Sequence, residues 1–360
     1  MSRRLKYIVV PVLILTLFAV ILGHNQRKPA PVQVQSVQVL ESARTPYFLP
    51  QYIALNLGFF KEQGLDVKIT TTSPEAIRAA LAGNRTDFAL CGLQKTVLNP
   101  LNSKEPPVAF AQIAKRDGSF LLARKDTASF QWQNAKNKTI IGGPQDYSSQ
   151  IILEEVLRQN NLSPYHHITI YNNIPEALRV GAFRAGTGNY LQLGEPEATL
   201  AESKGYGRIV GSVGAAAGDM PVTVYATARE NIETRPELIQ KFTNSIYKAL
   251  LWLRRHTPEE AADAAAPSFT NLERQHLLKT VERYKAIDIW AEDPLIAREP
   301  FDRFLLAVKN SGELANPATY EKAVTTDFAR QAIDTVTYVP EIPKPEKKFP
   351  FGLFKKEKIS

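Results

Sequence analysis

Cys91 is the only cysteine among the 360 residues, which excludes an intrachain disulfide and any metal site built from several cysteines. It also lies far from the N-terminus, where a lipidated cysteine would stand. Histidine is scarce too, and none of His24, His166, His167, His256 and His276 has the His-x-x-x-His spacing of a helical zinc site. There is no Gly-x-Ser-x-Gly elbow and no phosphate loop. The stretch Gly205-Tyr-Gly-Arg-Ile-Val-Gly211 approaches a dinucleotide fingerprint, but its spacing is one residue too long and no long helix follows. It reads as a turn entering a strand. His256-Thr-Pro-Glu-Glu260 reads as a histidine at a helix C-terminus followed by a capped new helix. Glu154 and Glu155 lie in a helical pattern and read as a solvated face. These absences leave no catalytic residue, metal site or cofactor to assign.

Acidic residues are the minority, 36 against 44 lysines and arginines, for a net charge of +8. The excess sits at the ends. Arg3, Arg4 and Lys6 open the chain, and Lys344, Lys347, Lys348, Lys355, Lys356 and Lys358 crowd its close. The body is near balance, so the charge marks no nucleic-acid face and a membrane surface is the better partner for the termini. The aromatics Phe349, Phe351 and Phe354 among the last lysines could touch an anionic membrane, but a solvated tail is the simpler reading.

Long apolar runs are missing except at the start, where residues 7–23 follow the basic opening without interruption. About 17 residues is the short end of what spans a bilayer and longer than a usual signal-peptide core. Only one small residue, Gly23, ends the run, so residues 1–23 read as a signal peptide or a membrane anchor, with an uncleaved anchor favoured. Either way the positive-inside rule exports the rest of the chain. Residues 24–35 are polar and serve as a tether.

The body alternates strand and helix. Residues 35–40 alternate polar and apolar side chains, residues 52–64 form a helix ended by glycine, and residues 65–70 form a strand. Ser73 caps a helix over 74–82 with Pro74 at its first position, and residues 88–91 form a short buried strand. A second block repeats the rhythm with strands at 139–141 and 167–171 and helices at 150–160 and 175–183. The two blocks resemble each other: Ala76 to Gly83 leads into Asp87-Phe-Ala-Leu-Cys-Gly92, and Ala177 to Gly186 leads into Asn189-Tyr-Leu-Gln-Leu-Gly194. Helices follow at 236–255, 258–266, 272–286 and 296–311, and beyond Val336 the chain turns Pro- and Lys-rich. Such alternation predicts an α/β protein with two similar lobes.

Thr45-Pro-Tyr-Phe-Leu-Pro-Gln-Tyr-Ile-Ala54 followed by Gly58-Phe-Phe-Lys-Glu-Gln-Gly-Leu-Asp-Val67 resembles the opening of ABC-importer solute-binding proteins of the nitrate, sulfonate/taurine and thiamine-pyrimidine-precursor branch. Further matches follow in order at Arg116-Asp-Gly-Ser-Phe-Leu-Leu-Ala-Arg124, Gly194-Glu-Pro-Glu197 and Arg235-Pro-Glu-Leu238. The likeness runs from about Val37 to Ile333 and departs at Gly188-Asn189, where the second lobe of the family usually carries Asp-Ala. It implies the two-lobed periplasmic-binding-protein fold of type II, with a ligand cleft between lobes and two crossover segments, here residues 120–123 and 222–226. Residues 36–124 and 225–335 would make lobe one, to which the C-terminal helices return. Residues 125–224 would make lobe two, and 336–360 a basic tail. It further implies a monomer outside the cytoplasmic membrane, held there by the N-terminal helix, that delivers a small solute to an ABC permease without a cofactor and without chemistry.

Ligands of open α/β sheets sit beyond the C-terminal strand ends. The loops at 42–51, 92–96, 142–149 and 194–197 therefore carry the candidates. Tyr47, Phe48, Tyr52 and Tyr147 can stack on a planar ligand, although lobe packing uses the same residue types. Gln51, Gln94, Thr96, Ser148, Ser149 and Asn189 can bond its edges, and Gly143 permits close backbone approach. Asp146, Glu195 and Asp219 supply negative charge, while the loops hold little Arg or Lys. That balance leans towards a neutral or cationic heteroaromatic, such as a pyrimidine vitamin precursor, over a sulfonate or nitrate. Two rival readings are an enzyme resembling the thiamine-pyrimidine synthase, which needs a cysteine-rich iron-binding stretch, and a membrane-anchored ligand-binding module outside transport.

Overall fold

The computed structural model describes residues 34–94, 106–124, 129–145, 147–314 and 316–339. The expected anchor, tether and tail, together with Thr96 and Asp146, lie wholly or almost wholly outside those residues.

Two five-stranded mixed sheets organise the chain. In the first, β1 (Gln35–Glu41) pairs in parallel with β2 (Leu65–Thr71) and β3 (Phe88–Gly92). Beyond β3 comes a strand from far along the chain, β10 (Thr223–Thr227), antiparallel to both β3 and β4 (Val108–Gln112). The second sheet mirrors this plan. There β6 (Thr139–Ile141) pairs in parallel with β7 (Thr169–Tyr171) and β8 (Tyr190–Leu193), and β5 (Phe120–Ala123) runs antiparallel between β8 and β9 (Arg208–Ser212). The orders β2-β1-β3-β10-β4 and β7-β6-β8-β5-β9 are the same plan used twice, so the internal likeness in sequence has a topological counterpart. Each sheet's antiparallel strand follows a crossing, at 113–119 and at 213–222, and these two crossings join the lobes.

Burial explains the order. Strands β3, β5 and β8 are buried almost throughout, as central strands covered on both faces should be. The helix Pro236–Arg255 repeats its apolar residues at helical spacing through Leu238, Phe242, Ile246, Ala249 and Leu253. Its Phe242 ring packs 5.0 Å from Phe60, 4.6 Å from Phe88 and 4.9 Å from Tyr225, sealing one face of the first sheet. In the second half the helix Ser148–Gln159 buries Ile151, Ile152, Val156 and Leu157.

Four expectations change. Residues 120–123 and 222–226, expected as the crossovers, fall instead on strands β5 and β10, because each apolar run is buried between two strands of its sheet; β5 thus belongs to the second sheet rather than to lobe one. The helix foreseen over 52–64 is two, Leu49–Asn56 and Phe59–Glu62, because Gly58 takes a left-handed φ of 81° that breaks the helical path. Glu154 and Glu155 are buried, since Arg158, Tyr165 and Asn310 converge on their carboxylates. Of the C-terminal helices, Asp327–Thr335 packs on Pro236–Arg255, but Arg298–Ser311 lies against the second half's Ser148–Gln159.

Candidate functional site

Between the sheets a cleft of about 410 Å³ opens at the C-terminal ends of β1, β3, β6 and β8. All four expected loops reach it. Tyr47, Gly143, Tyr147, Ser148, Ser149 and Glu195 line it, with Ser42, Thr45, Gly92 and Pro144 between them. At Gly142 a Cβ would stand 2.3 Å from Gln150 Oε1 and 3.0 Å from Ile170, so a side chain there would displace the Gln150 amide that accepts from the Gly143 N–H at 3.2 Å. At Gly143 a Cβ would meet nothing closer than 3.8 Å, so the missing side chain leaves open space within the cleft.

Other candidates work one layer behind. Gln51 and Tyr52 are buried and grip Glu41 at the end of β1: Gln51 Nε2 donates to Oε2 at 2.8 Å and the Tyr52 hydroxyl at 2.5 Å. Thr71 Oγ1 donates to Oε1 at 2.7 Å, and Arg44 pairs with it at 3.3 Å. This buried carboxylate, satisfied on both oxygens, fixes the loop that carries Tyr47. Phe48 belongs to the core and Gln94 is buried away from the cleft lining. Asn189 closes a sheet-edge pair with Thr139, accepting its N–H at 3.0 Å, and Asp219 is tied to Arg116 at 2.7 Å; neither lines the cleft.

Two of the acidic groups that line it are held by the scaffold. Glu195 is fully buried, and its carboxylate accepts from Thr199 N and Oγ1, each at 2.9 Å, and from Arg283. It is therefore a structural anion with its cation supplied. Asp117 accepts from Ser119 N at 2.9 Å and from Ser119 Oγ, while burial pushes its carboxyl above the usual range. The Tyr47 hydroxyl donates to the Arg116 carbonyl at 2.7 Å, leaving the ring as the part offered to the cleft.

Lining residues outside the expected loops include Asp117, Ser119, Arg179, Gln192 and Tyr284, of which two carry unmet polar atoms. Arg179 rises from the helix Glu176–Arg184 and Gln192 from the middle of β8. The signal was present in each case: Arg179 is one helical turn before the buried Phe183, and Gln192 sits inside an otherwise apolar strand. No His, Cys, Asp or Glu cluster able to hold a metal ion occurs among the described residues.

Comparison with known proteins follows the same outline. The family described as NMT1/THI5 like matches residues 45–261, a span that contains most of the cleft lining. The chain belongs to that family. A Bacillus subtilis relative named "Putative binding protein YtlA" is 33% identical over 297 residues, covering 82% of this chain and 89% of its own length. The 4-amino-5-hydroxymethyl-2-methylpyrimidine phosphate synthase THI13 of Saccharomyces cerevisiae is 25% identical over 222 residues, 57% of this chain and 63% of that one. The solved structure of the periplasmic nitrate-binding protein NrtA from Synechocystis PCC 6803 superimposes with a TM-score of 0.65 at 14% identity, covering 84% of this chain and 89% of that chain. This NMT1/THI5-like chain therefore has the two-lobed fold of a periplasmic binding protein. No helix among its described residues is long and apolar enough to cross a membrane.

Proposed function

We propose that the protein is the solute-binding component of an ABC import system, working as a monomer on the outer side of the cytoplasmic membrane and handing a small organic molecule to a permease. The observation that carries this reading is the cleft itself. Loops from both lobes meet at the strand ends around about 410 Å³, a volume suited to one small molecule. The titratable groups lining it are largely tied into the scaffold, as with Glu195, rather than arranged as a nucleophile with its base. Thr45 Oγ1 donates across the cleft to the Glu195 carbonyl at 2.8 Å, a contact of the kind that lobe opening and closing would make and break.

Kinship supports binding over synthesis: the relative named for binding spans 82% of this chain, the pyrimidine synthase 57%. The test is a thermal-shift screen of the full-length protein against pyrimidines, thiamine, taurine, alkanesulfonates, nitrate and small carboxylates. A ligand at a hundred times its Kd adds about 2.7 kcal/mol of stability, which shows plainly in the Tm. A shift with one class and no turnover of that compound is expected. Conversion of the bound compound to a product would instead establish an enzyme.

A further inference from the structure

Arg179 is a guanidinium with too few partners. It is 7% exposed and lines the cleft, yet its one ion pair among the described residues is a 3.7 Å contact to Glu176, whose side chain is 81% exposed; Glu197, also on the cleft wall, feels its charge without pairing with it. An arginine stays charged at every working pH, so burial does not relieve it by deprotonation. A long contact to a solvated carboxylate offsets little of what burying that charge costs. Its Nε is buried with no hydrogen-bond partner among the described residues. The space in front of it is held open by Gly143, whose Cβ position lies 3.8 Å from Arg179 Nη1 and 3.8 Å from Ser149 Oγ.

Gln192 shows the complementary deficit. At 2% exposure, its Nε2 donates to Ser119 Oγ and to the Ser149 carbonyl, both at 2.9 Å. A carbonyl only accepts, so the amide cannot be turned the other way round. That leaves Oε1 buried and unpartnered. A buried acceptor in this state costs free energy until something donates to it. Ser149 ties the two together: its carbonyl holds the Gln192 amide, and its hydroxyl borders the space in front of Arg179.

We infer that the cleft takes a solute bearing both an oxyanion group, a carboxylate or sulfonate, and an N–H or O–H donor, with Arg179 holding the first and Gln192 the second. The inference rests on the solute-binding reading above and narrows it. It reverses the lean towards a neutral or cationic ligand, which weighed only the loop residues and so left out a helix arginine. The planar guanidinium fork suits a two-oxygen anion, and Ser149 stands beside it as a further donor. Nitrate lacks the donor. A neutral pyrimidine lacks the anion. A molecule with both relieves the charge and the orphaned acceptor in one binding event.

Calorimetric titration of the full-length protein tests this with matched probes: 4-aminobenzoate against benzoate and 4-aminobenzamide, taurine against ethanesulfonate, and nitrate and cytosine alone. In at least one series the compound carrying both groups should bind tenfold or more tightly than the compounds carrying one. For that compound Arg179→Gln should raise Kd at least tenfold, Arg179→Lys by less, and Gln192→Met should abolish the preference for the added donor. The comparison among probes on the unaltered protein does not depend on any variant folding. If nitrate or cytosine binds tightest, or the best probe binds Arg179→Gln as well as the parent, the inference fails while the solute-binding reading stands. A folded protein that binds none of the probes counts against both.

Discussion

Asp117 shows at the scale of one residue how the cleft wall is held. Its carboxyl is buried beneath the cleft, takes hydrogen bonds from Ser119, and is linked through Ser119 Oγ to Gln192. Burial raises its pKa above the ordinary Asp value of about 3.9. A carboxyl whose pKa is higher folded than unfolded holds its proton more tightly in the folded state. Its contribution to stability is therefore present below the ordinary value, falls as pH rises through the interval up to the raised value, and stays lost above. Asp117→Asn keeps the shape and an acceptor oxygen for Ser119 but cannot ionise. Relative to the parent, the variant should gain stability steadily as pH rises from 4 to 7, measured by urea unfolding at each pH. Parallel stability profiles would mean that Asp117 ionises as freely in the fold as in water. Other buried carboxyls such as Asp293 are common to both proteins and cancel in the difference.

At the scale of elements, the helix Pro258–Ala265 depends on a reciprocal cap. Thr257 Oγ1 accepts from Glu260 N at 3.2 Å, and Glu260 Oε2 accepts from Thr257 N at 2.8 Å. Thr257→Ala removes one of those bonds at a helix that buries Ala261, Ala262 and Ala265, and should cost about 1 kcal/mol. The urea midpoint should fall with an unchanged m-value, because the surface exposed on unfolding hardly alters. A variant as stable as the parent would place the helix start on tertiary packing alone. This cap was legible in the sequence, as was Ser73, whose Oγ accepts from Ala76 N at 3.2 Å, because such caps involve residues three apart. The strands β1, β2, β3, β6 and β7 were legible for the same reason, since periodicity and glycine punctuation are local, whereas β4 and the order of strands in each sheet depend on pairing with distant chain. What was hidden depends on distant chain. Glu154 and Glu155 look solvated until Asn310 and Tyr165 arrive from other elements. Gln51 and Tyr52 border a cleft loop in sequence but turn inward to Glu41, because Tyr225 and Phe269 pack over them. Arg179 lies on a helix rather than in a strand-to-helix loop, and only the fold brings that helix face to the cleft wall.

At the scale of the whole molecule, the helix Arg274–Ala286 pins the lobes together. It packs on the helix Glu197–Ser203 from one half and on the Pro46–Phe48 turn from the other. Arg283 binds Glu195 and Thr199 and pairs with Glu202 at 2.7 Å, while the Tyr284 hydroxyl accepts from Glu195 N at 3.3 Å and donates to the Gly118 carbonyl at 3.1 Å. Arg283→Met would leave the fully buried Glu195 carboxylate without its cation. Stranding one partner of a buried pair costs about 3–5 kcal/mol, much more than the intact pair contributes relative to a neutral replacement. Glu195→Gln added to Arg283→Met should therefore restore most of the loss, since the stranded charge disappears while Thr199 can still donate to the amide oxygen. A double-mutant cycle read by thermal unfolding measures this coupling. Simple additivity of the two single losses would mean that Glu195 is not held by Arg283. Strong coupling would mean that the cleft-lining Glu-Pro turn is held through a C-terminal helix, so that the wall of one lobe is shaped by chain that folds after both sheets in sequence.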